Sequence, residues 1–382
     1  MKCEKVLMVE NADPFEFGGG AYASLAHIKV LSDIYCGNVD VCIADRSEKR
    51  FFDFKINRIL WVPPRSAVSR LISIITGDIH RYTKYVKKLL SMGRYDVCVY
   101  DGGRISGSLA KFSKLKNKKV ITFHHNYEPE YFRDNTKNGL LRFLLMHHVK
   151  RLERDAYKWS DVNLFLTQQD LDKFKEVYGC CHGDNYVVGT YETTNMKCGS
   201  VEKKRNNKCI AITGALCDKQ TIDGIKYFFS ELYASLPEDY TIIIAGKNPS
   251  SEIRNLCGAY KNVILIENPL SMQSVLQKAD IYVCPTNVGG GVKLRVMDGL
   301  KVGIPVIVHE VSARGYDVLF NEKFFKIFNT KENFKSAFES ISQSLDSGTI
   351  KSQEIQMAYL KEFSYDNGKN RIEEFLRLSN LI

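Results

Sequence analysis

CPTNVGGGVKLRVMDGLKVGIPVIV, residues 284–308, is the stretch on which the fold turns. It closes one apolar run, DIYVCPT (280–286), and opens another, IPVIVHE (304–310). Between them the spacing predicts a helix over VKLRVMDGLKV, capped at its C-terminus by Gly303, with Pro305 starting the next strand. A glycine run costs backbone entropy, so three in succession mark a sharp bend or a close approach. Gly289, Gly290 and Gly291 follow a strand's carboxyl end and precede a helix. Unpaired N–H groups and aligned peptide dipoles favour an anion there, typically a phosphate. Lys293 and Arg295, within about the first turn, add positive charge. Asp298 lies seven residues past Gly291, two turns into the helix, where a carboxylate can accept from a ribose diol as acids do in other nucleotide sites. A tight turn with no ligand is the other reading of these glycines.

The same alternation runs outward in both directions. CIAIT (209–213), YTIIIAGK (240–247), NVILIE (262–267) and FFKIFN (324–329) complete the second half with helical stretches between them. In the first half the runs are KVLMVE (5–10), VDVCIAD (39–45), NRILWVP (57–63), DVCVYDGG (96–103), KVITFHHN (119–126) and DVNLFLT (161–167). Continuous apolar strands separated by helices mean parallel sheets covered on both faces. Two doubly wound α/β domains are expected, each with its ligand edge at the carboxyl ends of its strands. The divisions are 1–185, 186–365 and a C-terminal helix over 366–382 whose apolar side (Ile372, Phe375, Leu376, Leu378) suits packing back on the first domain. The polar KCGSVEKKRNNK (197–208) lies in the join.

At 382 residues and 44% hydrophobic, the chain can bury a core in each of two domains, and no apolar run reaches membrane-spanning length. MKCEKVLMVENADPF enters a strand at once and turns acidic, unlike a signal peptide. Eleven scattered cysteines without a C-x-x-C pair read as reduced thiols in the cytoplasm; vicinal Cys180 and Cys181 read as loop cysteines, with a redox pair as the alternative. The net charge of +10 is uneven: 46–119 holds 18 Lys+Arg against 5 Asp+Glu. That fits nucleic acid, anionic lipid or a phosphate-bearing substrate, and equally a solvated basic face. No recognition helix or RNP-type motif supports nucleic acid. Within 65–92, Val68, Leu71, Ile72, Ile75, Ile79, Tyr82, Val86 and Leu89 recur at helical steps among six cations. Such a helix suits docking on an anionic membrane, at its inner face, or packing on its own sheet.

GGGVKLRVMDGLKVGIPV resembles the signature of retaining glycosyltransferases of the GT-B fold, in the large family four, glycosyl transferases group 1. The resemblance covers most of the chain. It implies two Rossmann-like domains facing each other across a cleft, the second binding a nucleoside-diphosphate sugar and the first the acceptor, a glycan or lipid-linked molecule of surface polysaccharide synthesis. By this resemblance Asp298 holds the ribose, and Gly290, Gly291, Val292, Lys293, Leu294 and Arg295 line the diphosphate and sugar. The family's partner acid falls on Gly290 and is missing. ITGALCDKQTIDGIKYF (212–228) resembles the opening of the family's second domain, with Gly214 in the turn and Lys219 on the diphosphate or, alternatively, an ordinary surface lysine. FGGGAYASLAHI (17–28) resembles the family's first glycine loop, giving Gly19 and Gly20 to the donor phosphate. TFHHNYEPEYFRD (122–134) resembles its H-N-x-E stretch: His125 at the reaction centre, Asn126 and Glu128 on the acceptor side. Backbone near Glu267 and Asn268 meets the nucleobase.

The resemblance also implies retention by front-face attack, with Lys219, Lys293 and backbone amides stabilising the leaving diphosphate, and neither metal nor cofactor. Asp170-Leu171-Asp172 is the sole D-x-D and reads as solvent-facing. His124-His125 with Glu128 and Glu130 leaves a metal site open as a second reading. The rivals are another GT-B enzyme, inverting or epimerising, and a sugar- or nucleotide-binding protein without activity, which the glycine at 290 keeps in play.

Overall fold

The computed structural model describes residues 4–10, 13–16, 18–45, 49–135, 139–194 and 207–382. The chain forms two compact units, Met1–Thr194 with Tyr365–Ile382, and Asn195–Ser364. In the first, seven parallel strands are β1 (Val6–Glu10), β2 (Val39–Ala44), β3 (Arg58–Val62), β4 (Val97–Asp101), β5 (Lys119–His124), β6 (Val162–Phe165) and β7 (Asp184–Val187). Their spatial order is β3-β2-β1-β4-β5-β6-β7. In the second, β8 (Cys209–Ala215), β9 (Thr241–Lys247), β10 (Val263–Glu267), β11 (Ile281–Cys284), β12 (Val306–His309) and β13 (Phe325–Phe328) run in the order β10-β9-β8-β11-β12-β13. Chain direction across the sheet reverses between β1 and β4, and between β8 and β11. At such a switch point the loops diverge and leave a crevice at the strands' carboxyl ends.

Each of the twelve apolar runs falls on one of these strands, β8 running two residues past CIAIT. The thirteenth, β7, escapes a sequence reading because Asp184–Val187 is short, partly polar and exposed at the sheet's edge; only pairing with β6 reveals it. It carries the first sheet past the divide expected at 185. The helix Tyr365–Leu378 belongs to the same unit: Tyr186 and Phe375 stack at 4.4 Å, and Tyr365 Oη donates to Asp33 at 2.5 Å. The join read over 197–208 lies outside the described residues as far as 206.

The helix expected across 65–92 is two, Ala67–Thr76 and His80–Ser91. Gly77 breaks them by adopting φ 73°, and a Cβ there would lie 2.4 Å from His148. Ile79, Tyr82 and Val86 pack into the core, whereas Val68, Leu71 and Ile75 do not. One periodic stripe is therefore two faces with different environments. No helix among the described residues is long and apolar enough to cross a membrane.

Candidate functional site

The loop after β11 owes its shape to a buried cation. Lys293 Nζ donates to Gly290 O (2.8 Å), to Gly289 O (3.5 Å) and to Gln220 Oε1 (3.0 Å). The chain folds back over the ammonium, so the helix starts only at Arg295 and runs to Lys301. Asp298 therefore stands in the first helical turn, not two turns in as the sequence suggested. Gly303, at φ 71°, ends the helix as expected, and Ile304 N–H reaches back to Gly299 O at 3.1 Å. Lys293 was expected to meet a diphosphate; it is only 7% exposed and its three donors go to the protein. Burial, then the Arg295 charge, pushes its ammonium down to about 8.

With the carbonyls of Gly289 and Gly290 held by Lys293, the amides of Gly289, Gly290, Gly291, Val292 and Lys293 donate to no acceptor among the described residues. Gly289 (φ 89°) and Gly291 (φ 75°) lie in the left-handed region on either side of Gly290, which does not. Backbone that alternates in this way can turn successive N–H groups toward one concavity, a nest that suits an anion. A Cβ at Gly291 would meet nothing within 4 Å, so the loop is open on that side. Val292 and Leu294 turn their side chains toward the core and offer only backbone.

Arg295 ties three elements together. Its guanidinium donates to Thr221 Oγ1 (2.7 Å) on the helix Lys219–Tyr227 and to Thr286 Oγ1 (2.9 Å) beyond β11. It lies against Gly214, where a Cβ would be 2.4 Å from Nη1. Gly214 is thus part of β8 rather than of a turn, and what needs its bare Cα is the arginine. Lys219 does not join this group. Its side chain is 81% exposed and pairs with Asp223 one turn along the same helix. Gln220, which the sequence reading passed over, is the residue of that segment that reaches the glycine loop. Asn268 (φ 47°) has its N–H on Gly246 O and its Oδ1 on Asn248 N–H, both 2.8 Å, so its donor is not free for a base. Glu267 forms a two-bonded pair with Arg254.

In the first unit, chemistry collects where β1 and β4 part. Asp101 Oδ1 accepts from His125 Nε2 (2.7 Å) and His27 Nδ1 (3.0 Å), while Ser24 Oγ donates to Oδ2. Burial would raise the Asp101 carboxyl, but the two imidazoles outweigh it and hold the group well below the carboxylate range. His27, buried and stacked on Phe123 at 3.9 Å, is pushed down. Burial also opposes charge on His125, yet the Asp101 carboxylate prevails and raises it. Its side chain is one-fifth exposed (20%), the part of the trio that faces solvent. Beside Asp101 in register, Glu10 is fully buried with neither carboxyl oxygen hydrogen-bonded; burial, then the Asp101 charge, pushes its carboxyl well above the usual range. A cation could be ringed by His27, Asp101 and His125, whose ligand atoms lie within 4.8 Å of one another. Both nitrogens are already spent on one carboxylate oxygen, so mutual hydrogen bonding explains the trio.

Nearby, the helix Gly19–Ile34 starts after Gly18 with no side-chain cap and no acid in its first turn. Added Cβ atoms at Gly18 and Gly20 would meet nothing within 4 Å. Gly19 and Gly20 thus begin an open, cation-like helix end. Asn126 keeps a buried Oδ1 without a partner. Glu128 opens the helix Glu128–Asn135, and burial raises its carboxyl. His124 points to the other face of β5, toward Asn163 (3.0 Å) and Phe165, so the His-His pair forms no joint site. Asp170 is also not solvent-facing: it is buried, bonded by Thr167 Oγ1 and by Tyr127 N–H at 3.0 Å. Nothing local marks Glu10, Asp101 and His27 as a group. The available signal was that two strands on either side of the switch point each end in an acid.

Residues 207–337 match the family model of glycosyl transferases group 1. No curated protein matches the chain. Sucrose-phosphate synthase from Thermosynechococcus elongatus is similar at a TM-score of 0.71 and 13% identity, over 98% of this chain and 98% of that one. HepE of Anabaena in complex with UDP gives 0.67 at 12% identity, over 98% and 100%. The same protein with UDP-glucose gives 0.65 at 13%, over 98% and 100%. The chain has the GT-B fold, and the match to the group 1 model lies within its second unit.

Proposed function

We propose that this protein transfers a hexose from a nucleoside-diphosphate sugar to a glycan or lipid-linked acceptor. The observation that carries the reading is the set of unpaired amides from Gly289 to Lys293, shaped by a buried ammonium into a cradle for a diphosphate. The family match over this domain supports it, and UDP and UDP-glucose bound to similar structures favour UDP as the nucleotide.

In the reaction, an acceptor oxygen bonds to the anomeric carbon as the bond from that carbon to the diphosphate breaks. Charge grows on the departing phosphate oxygen, where fixed N–H dipoles stabilise it more than they stabilise the bound donor. The acceptor proton passes to that leaving group, on the same face, which retains configuration. We assign Asp298 to the ribose, and His125, set by Asp101, to the donor hexose. Near Asn268, whose N–H is spent on Gly246 O, we assign only the backbone carbonyl to the base. Neither a metal nor a cofactor takes part in this scheme.

The test is calorimetric titration with UDP-, GDP-, ADP- and CMP-sugars, followed by assay for free nucleoside diphosphate with a glycan acceptor panel. Tight binding of one donor with turnover supports the proposal. Donor binding without release of diphosphate under any acceptor supports instead a sugar-nucleotide binding protein, which the glycine at 290 favours. Absence of binding to all four removes both.

A further inference from the structure

We propose that the helix Ala67–Thr76 is a docking face for an anionic lipid surface. The helix is inside out. A surface helix normally turns its apolar side to the core and its polar side to water. Here the residues turned inward are Ser69, Ser73 and Thr76, with Ile72 half-buried among them. Ser73 Oγ accepts from His80 N–H (3.1 Å), Ser69 Oγ lies 3.4 Å from His80 Nδ1, and Arg151 donates to Thr76 O (2.6 Å). The residues turned outward are Val68, Leu71, Ile74 and Ile75, exposed by 67, 58, 66 and 66%. On the neighbouring helix Gly139–Trp159, which supplies Arg151, Phe143 is 71% exposed as well.

Charge identifies the occupant. Between 58 and 88 the chain carries seven cations and one anion, Asp78. Arg65 and Arg70 flank the apolar residues and are exposed, as are Lys84 and Lys88 on the next helix; none has a salt-bridge partner among the described residues. A protein partner would have to meet four exposed aliphatic side chains together with cations that have no salt-bridge partner among the described residues. An interfacial bilayer region offers acyl chains at one depth and anionic headgroups just above it, which is the same pairing of chemistries. The inference rests on this surface alone and stands apart from the donor site.

Co-sedimentation of the full chain with phosphatidylglycerol–phosphatidylcholine vesicles, against phosphatidylcholine alone, at low and high salt, tests it. The wild type is expected to bind the anionic vesicles and to be released by salt. The double variant Leu71→Gln with Ile75→Gln is expected to lose at least about tenfold in partitioning, by loss of buried apolar area. Its melting temperature and donor binding should be unchanged, because both side chains face outward. Arg65→Gln with Arg70→Gln should weaken binding and flatten its salt dependence. Equal partitioning of wild type and the Leu71/Ile75 variant overturns the proposal. So does binding indifferent to anionic lipid, or a wild-type dimer in light scattering that this variant converts to monomer without any lipid binding.

Discussion

Gly291→Ala separates the loop's fold from its function. The residue holds φ 75°, a conformation that costs an L-residue about 1–2 kcal/mol. Replacing glycine also stiffens the unfolded chain, which returns about 0.4–1 kcal/mol. The added Cβ meets nothing within 4 Å, so no clash adds to the bill. The net destabilisation should be about 1 kcal/mol, and in a unit of this size that lowers the melting temperature by roughly 2–4 °C. The same methyl stands on the open side of the amide cradle. A diphosphate displaced from even one charge-assisted N–H bond loses about 1.5–3 kcal/mol, roughly tenfold to a hundredfold in Kd. Thermal unfolding without ligand and calorimetric titration with nucleoside diphosphate measure the two effects apart. If the melting temperature falls as stated while nucleotide affinity stays at the wild-type value, the amides do not meet the diphosphate and the reading fails.

Lys293→Met removes the ammonium that gathers two carbonyls and Gln220; it should cost about 1–3 kcal/mol in thermal unfolding and weaken nucleotide binding with it. Lys219→Ala, in contrast, removes an exposed pair and should change stability by no more than about 0.5 kcal/mol, with donor affinity and turnover intact; a large loss of turnover would return Lys219 to the site. Gly290→Glu restores an acid at a position of ordinary handedness, with Arg314 Nη1 3.9 Å from the new Cβ; stability should hold within about 0.5 kcal/mol, and discrimination among donor hexoses should change. Asp101→Asn should lower the His125 pKa, read by NMR titration of the imidazole. In the wild type that raised pKa contributes stability in full below the ordinary histidine value, and the contribution is lost as pH rises through the folded one. The asparagine variant should lack this dependence.

Much of the fold was legible because a strand buried on both faces leaves a local trace, a continuous apolar run, and a glycine loop between strand and helix leaves another. Gly303 could be placed as a cap for the same reason. The edge strand β7 left no such trace, since its identity lies in its neighbour β6 rather than in its own composition. The helix starts later than residues 292–294 suggest because the competing structure, Lys293 curled onto Gly289 and Gly290, is completed by Gln220, an acceptor distant in the chain.

The amino-acid sequence by itself therefore determined two parallel α/β units, the place of the glycine loop between strand and helix, and the concentration of cations in the first half. Only the tertiary structure decided which side chains share a point in space. Gln220 and not Lys219 faces the loop because adjacent helical residues point about 100° apart. Asp101 gathers His27 from a helix and His125 from the loop after β5, segments distant in the chain. Val68, Leu71 and Ile75 obey the same periodicity as Tyr82 and Val86, yet one set is bare and the other is covered. Periodicity records which residues lie on one face; what covers that face is set by elements far away along the chain.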